Sequence, residues 1–128
     1  MPIDYEVLNE GHFIHAVASG KVTCDEFVDF EMAHATDDRI RPPVSELLVV
    51  EYDALGLITM DDIQKALDQR LQLERKTISH RCGIIVRYGD NHSWNLAKFY
   101  EGMVMLHSPE DVIVFGDDRI ARTWLGIG

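Results

Sequence analysis

Cysteine is nearly missing from this chain: among 128 residues there are only Cys24 and Cys82. Neither has metal-site spacing, which removes a cysteine-ligated metal centre, and both suit a reducing compartment. Asp25 and Glu26 follow Cys24, and adjacent acids raise a thiol pKa rather than activate it. Long apolar runs are also lacking, since none approaches the ~20 residues that span a bilayer. The opening Met-Pro-Ile-Asp-Tyr-Glu has neither the basic segment nor the apolar centre of a secretion signal, so a cytoplasmic location is expected. Basic residues are few, 12 Lys and Arg against 22 Asp and Glu, for a formal charge of −10. That balance argues against nucleic acid and against anionic membrane surfaces, both of which need concentrated Lys and Arg.

What is present is an ordinary globular composition, 46% hydrophobic and 27% charged, long enough for one domain over residues 1–128 with a real core. Two strand-like runs come first, about Asp4–Asn9 and His12 to Val22, joined by a turn at Asn9-Glu10-Gly11. A helix then begins at Thr23, where Thr23 and Glu26 form a capping-box pattern, and Phe27, Phe30 and His34 share a face. After the helix-breaking Arg41-Pro42-Pro43, the apolar Leu47–Val50 run, reaching into Glu51-Tyr52, reads as a strand covered on both faces. A second helix is expected from Thr59 to Lys76, with Asp61 and Asp62 in its first turn and Ile63, Ala66, Leu67 and Arg70 on one side. Cys82–Val86, extending to Tyr88, is the fourth strand, with Cys82 a small core residue. A third helix presents Leu96, Phe99, Tyr100, Met103 and Leu106 and stops at Ser108-Pro109. Val112–Phe115 and a last helix, capped by Asp117 or Asp118 and docking through Ile120, Trp124 and Leu125, complete the order ββαβαβαβα. That alternation predicts an α/β domain with a five-stranded, mostly parallel sheet.

Chemistry-bearing motifs are sparse. His12 and His15 are three apart in a strand and point to opposite faces, so they cannot chelate one ion. His34, His80, His92 and His107 form no helical pair, and neither a metal nor another cofactor is expected. No serine lies in a Gly-x-Ser-x-Gly elbow, and Asp37-Asp38, Asp61-Asp62 and Asp117-Asp118 read as helix-end charges. No catalytic residue is nominated. Two loops stand out because they leave the carboxyl ends of parallel strands, where ligands bind in open α/β sheets. Glu51-Tyr-Asp-Ala-Leu-Gly-Leu57 offers Tyr52, Asp53, Gly56 and Leu57, although turn formation alone explains Asp53 and Gly56. Asp90-Asn-His-Ser-Trp-Asn95 offers His92, a side-chain type that titrates near neutrality, and Trp94. Consecutive parallel strands are usually neighbours, so the two loops should adjoin and form a shallow binding edge.

The whole pattern resembles the SpoIIAA-like branch of the STAS superfamily. The matching features are the start ending Ala-Ser-Gly20-Lys-Val-Thr23, the short strand Leu47–Tyr52 before the helix at Thr59, and the basic turn Arg75-Lys76 to Arg81 leading into Gly-Ile-Ile-Val86. The ending Val-Ile-Val-Phe115…Ala-Arg-Thr-Trp124-Leu125 matches too. The resemblance implies a β–α superhelical sheet in a bacterial protein and, in founding members, an anti-sigma-factor antagonist switched by phosphorylation. That switch uses a serine in an Asp-Ser-Ser/Thr-Gly turn. Here the turn is Asp53-Ala54-Leu55-Gly56, so the phosphoacceptor is absent, and Thr59 serves as an N-cap. The expected function is therefore a non-enzymatic module that binds a protein partner through exposed apolar residues near Leu55, Leu57 and Trp94, with homodimerisation left open. The alternative is a carrier of a small apolar ligand, and an enzyme of unknown reaction ranks third.

Overall fold

The structure is a computed structural model that describes residues 3–72, 80–108 and 110–127. Its centre is one five-stranded sheet whose strands lie side by side in chain order. Strand β1 (Ile3–Leu8) runs antiparallel to β2 (Phe13–Ala18), while β3 (Val44–Val50), β4 (His80–Val86) and β5 (Asp111–Phe115) continue parallel to β2. The tight β1–β2 link is a single 3-10 turn, Asn9–Gly11, in which Asn9, Glu10 and Gly11 all have positive φ. Gly11 is obligatory there, because a Cβ would stand 2.3 Å from the Arg39 carbonyl oxygen.

Helices α1 (Cys24–Thr36), α2 (Met60–Leu71) and α3 (Asn91–His107) connect the parallel strands, and α4 (Asp118–Leu125) follows β5. Alternating side chains split the core in two. Ala16, Ala18, Val50, Ile84, Val86, Val112 and Val114 point to the face covered by α1, α2 and α3. Leu47, Val49 and Ile85 point the other way, against Ala121 and Leu125 of α4. With both faces of β3 and β4 covered, their near-continuous apolar runs have somewhere to go. Among the described residues, no helix is long and apolar enough to cross a membrane.

Several expected boundaries move. The second strand ends at Ala18 rather than Val22, because Gly20 turns the chain at φ +67° and the Val22 amide is taken by the Ala54 carbonyl at 2.9 Å. The third strand starts three residues earlier than its apolar run, and Tyr52 lies in the turn beyond it. The fourth starts at His80 and stops before Tyr88. Helix α2 ends at Leu71, and the expected end at Arg75-Lys76 falls outside the described residues. Leu106 is 73% exposed, since the buried stripe of α3 is Leu96, Tyr100 and Val104 and residue 106 lies about 200° round the helix from 104. Ile120 is likewise 57% exposed: α4 docks through the 121/125 pair, with Trp124 half-buried against Phe115 and under Arg81.

Candidate functional site

All four helices start at the carboxyl edge of the sheet, and their N-termini organise it. Thr23 and Thr59 each complete a capping box, the hydroxyls accepting from the Glu26 and Asp62 amides at 3.2 Å while those side chains accept from the Thr23 and Thr59 amides at 2.9 Å. Asp90 caps α3 through Ser93 N at 3.1 Å, and Asp117 caps α4 through the Arg119 and Ile120 amides at 2.7 and 3.2 Å. Four orphan helix ends are thus satisfied by local side chains.

The two nominated loops do adjoin. The Asp53 amide donates to Asp90 Oδ2 at 2.8 Å, and His92 Nε2 lies 2.9 Å from the Ile58 carbonyl. Burial raises the Asp90 pKa, yet hydrogen bonds from Ser93 and the Asp53 amide outweigh it and hold the carboxyl below its usual range. Asp90 and His92 are therefore engaged, while the buried Ser93 hydroxyl has no hydrogen-bond partner among the described residues. Asp53, at φ +62°, is paired with Lys21, and a Cβ on Gly56 would stand 2.5 Å from Asp53 Oδ1, so both serve the turn. Glu51 is paired with Arg87 at 3.1 Å. Tyr52 and Leu57 are exposed, but Leu55 is buried, its side chain packed into the core beside Ala54. The exposed apolar patch expected near Leu55 consequently lacks that residue.

What remains open is a cleft of about 440 Å³ between the loops that follow β4 and β5. Trp94 and Tyr88 line it with Gly89, Asp90 and Gly116. Trp94 is 38% exposed, and Tyr88 is fully exposed. Tyr88 was not nominated from sequence, where it read as the end of a strand.

The opposite edge holds a buried ionic network that sequence reasoning missed. Glu31 and His34 reach it from α1, Arg70 from α2, Tyr100 from α3, Glu46 from β3, His80 from β4, and Glu110 from just before β5. Arg70 Nη1 donates to Glu31 at 3.2 Å and to the Tyr100 hydroxyl at 3.0 Å, and that hydroxyl donates to Glu31 Oε1 at 3.0 Å. Arg70 Nη2 pairs with Glu110. His80 bridges Glu46 at 3.2 Å and Glu110 at 3.3 Å, and His34 Nε2 stands 3.6 Å from Glu46 while its Nδ1 lies 2.9 Å from the Phe30 carbonyl. Burial pushes the Glu46 carboxyl up, but His34 and His80 outweigh it and bring it to about 2. Glu110 ends at about 2 in the same way, burial being overcome by His80 and Arg70. Burial lowers His80, but its bonds to Glu110 and Glu46 lift it to about 9. The network therefore carries charge in both signs at neutral pH.

A sequence signal existed. Glu31, His34 and Arg70 occupy the buried phase of their helical stripes, one turn beyond Phe27, Phe30 and Ala66, and Glu46 sits on the helix-facing parity of β3. A cavity of about 20 Å³ beside His34, Arg70, His80 and Glu110 has room for about one water. Among the described residues no group of His, Cys, Asp or Glu is arranged to hold a metal ion. The thiols are quiescent: burial and then Asp62 raise Cys24, and burial raises Cys82 well above its ordinary value. No family model, curated protein or solved structure matches this chain.

Proposed function

We propose that this chain is a STAS-like, non-enzymatic interaction module that lacks the family's phosphoacceptor and engages a protein partner at the carboxyl edge of its sheet. The observation that carries the reading is the cleft of about 440 Å³ flanked by Tyr88 and Trp94. Large aromatics in a concave, partly exposed site are the composition of interface anchors. The polar neighbours Asp53, Asp90 and His92 are engaged in turn and capping bonds, which favours recognition over chemistry. The reading of Asp53-Ala54-Leu55-Gly56 as a turn without a switch fits the burial of Ala54 and Leu55. The alternative, a carrier of a small apolar ligand, needs an enclosed apolar cavity. The apolar space among Phe27, Leu55, Ile63 and Leu96 is about 30 Å³, far below the ~300 Å³ of ordinary ligand pockets.

A photo-crosslinking residue in place of Tyr88, used in the producing cell, tests the proposal. A discrete protein adduct is expected, and Trp94→Ala should abolish it while shifting the thermal midpoint by no more than about 4 °C. Recovery of an apolar small molecule by native mass spectrometry, with no protein adduct, would favour the carrier. A stability loss near the ~3–5 kcal/mol of a core aromatic truncation would make Trp94 structural and sink the site.

A further inference from the structure

Resting on that reading of the carboxyl edge, we infer that the cleft between Tyr88 and Trp94 receives a cationic side chain, lysine or arginine, presented by a basic segment of the partner protein. Anionic groups find no vacant helix end at the cleft. The N-termini of α3 and α4 both open beside it and would ordinarily attract an anion through their free N–H groups and dipoles. Here each is already filled by a carboxylate of this chain, Asp90 in the cleft lining and Asp117 immediately after Gly116. Both carboxylates accept from backbone N–H groups, and His92 stands close enough to lower the Asp90 pKa further. Arg87, the cation of the lining, is neutralised by a two-pronged pairing with Glu51, at 3.1 and 3.3 Å, and lies within the field of Asp118. Within the lining and its ion pair, Glu51 and Asp90 outnumber Arg87, in a chain of formal charge −10.

The remaining walls suit a cation on a long aliphatic stem. Tyr88 leaves its ring fully exposed and Trp94 leaves part of its own open, so negative π faces are available to an ammonium or guanidinium. Gly89 and Gly116 contribute bare backbone, and an added Cβ at either meets nothing within 4 Å. The stem of a lysine or arginine can lie along such a wall while its head meets the rings.

Gly116 also supplies the test, because its φ lies outside the left-handed region and a side chain added to this wall of the cleft meets open space without backbone strain. The probe is a short synthetic peptide alternating arginine and serine, compared with glutamine and glutamate versions at physiological salt. Binding is followed through the Gly89 and Gly116 amide signals and the Trp94 indole N–H. The arginine peptide should shift these signals and bind about tenfold more tightly than the glutamine version. Gly116→Leu should weaken that binding about tenfold with an unchanged thermal midpoint. Equal affinity of Gly116→Leu and the unaltered chain would mean diffuse attraction to an acidic surface and would overturn the inference. Equal binding of the glutamine peptide at the cleft would also overturn it, yet leave the edge a docking surface. A Tyr88 adduct with a partner whose docking segment carries no Lys or Arg would have the same two consequences. Silence of all three peptides, together with no Tyr88 adduct, would remove both readings.

Discussion

The two ends of this sheet treat charge in opposite ways. At the carboxyl end, four helix N-termini are capped within three residues of themselves, by the pairs Thr23–Glu26, Thr59–Asp62, Asp90–Ser93 and Asp117–Ile120. At the amino end, charges are answered from far along the chain: Glu31 by Arg70 and Tyr100, 39 and 69 residues away, and His80 by Glu46, 34 residues away. The caps of Thr23, Thr59 and Asp117 are solvent-exposed and contribute separately, whereas Asp90 is buried and also accepts from the Asp53 amide. The distant pairings are buried, so each group depends on the others for its solvation. The lesson is that acids of one type stabilise by about a kilocalorie at one edge and become conditional on a whole network at the other.

Removing the central cation should break the comparison most severely. Arg70→Met strands Glu31 without a positive partner and leaves Glu110 to His80 alone, and a loss of ~3–5 kcal/mol is expected by urea unfolding. A loss below ~1 kcal/mol would mean that the network behaves like surface pairs.

The pH dependence follows with intermediate size. His80 is raised from 6.5 to about 9, so its contribution is complete below pH 6.5 and is lost as pH rises through 9. Glu46 and Glu110 are lowered from 4.5 to about 2, so theirs is complete above pH 4.5 and is lost as pH falls through 2. Denaturant midpoints should therefore plateau between those windows, with His80→Gln flattening the alkaline limb. An alkaline limb of unchanged shape in that variant would assign the effect elsewhere.

The smallest effect belongs to the carboxyl edge. Thr59→Ala should cost about 1 kcal/mol, with Thr59→Asp nearly neutral, because only a local cap is exchanged. Recovery of phosphate on Thr59 from the native host would give that residue a role beyond its cap.

How far these features were legible depended on their range. Capping boxes, the starts of α1 and α2, and the adjacency of the two loops follow from residues three or four apart and from the neighbourhood of consecutive strands. Leu106 and Ile120 were misplaced because periodicity gives the width of an apolar stripe more readily than its phase. The cleft was half legible: Trp94 stood out, while Tyr88 looked like the continuation of a strand that in fact ends at Val86.

By itself the sequence determined an α/β order of five strands and four capped helices, because periodicity, caps and breakers act within one or two turns of chain. Only tertiary structure decided that Glu31, Glu46, Arg70, His80, Tyr100 and Glu110 meet, and that Tyr88 and Trp94 face a common cleft. The physical reason is that burial and ion pairing are properties of a place, and residues as distant as 69 positions acquire that place only when helices close over the sheet.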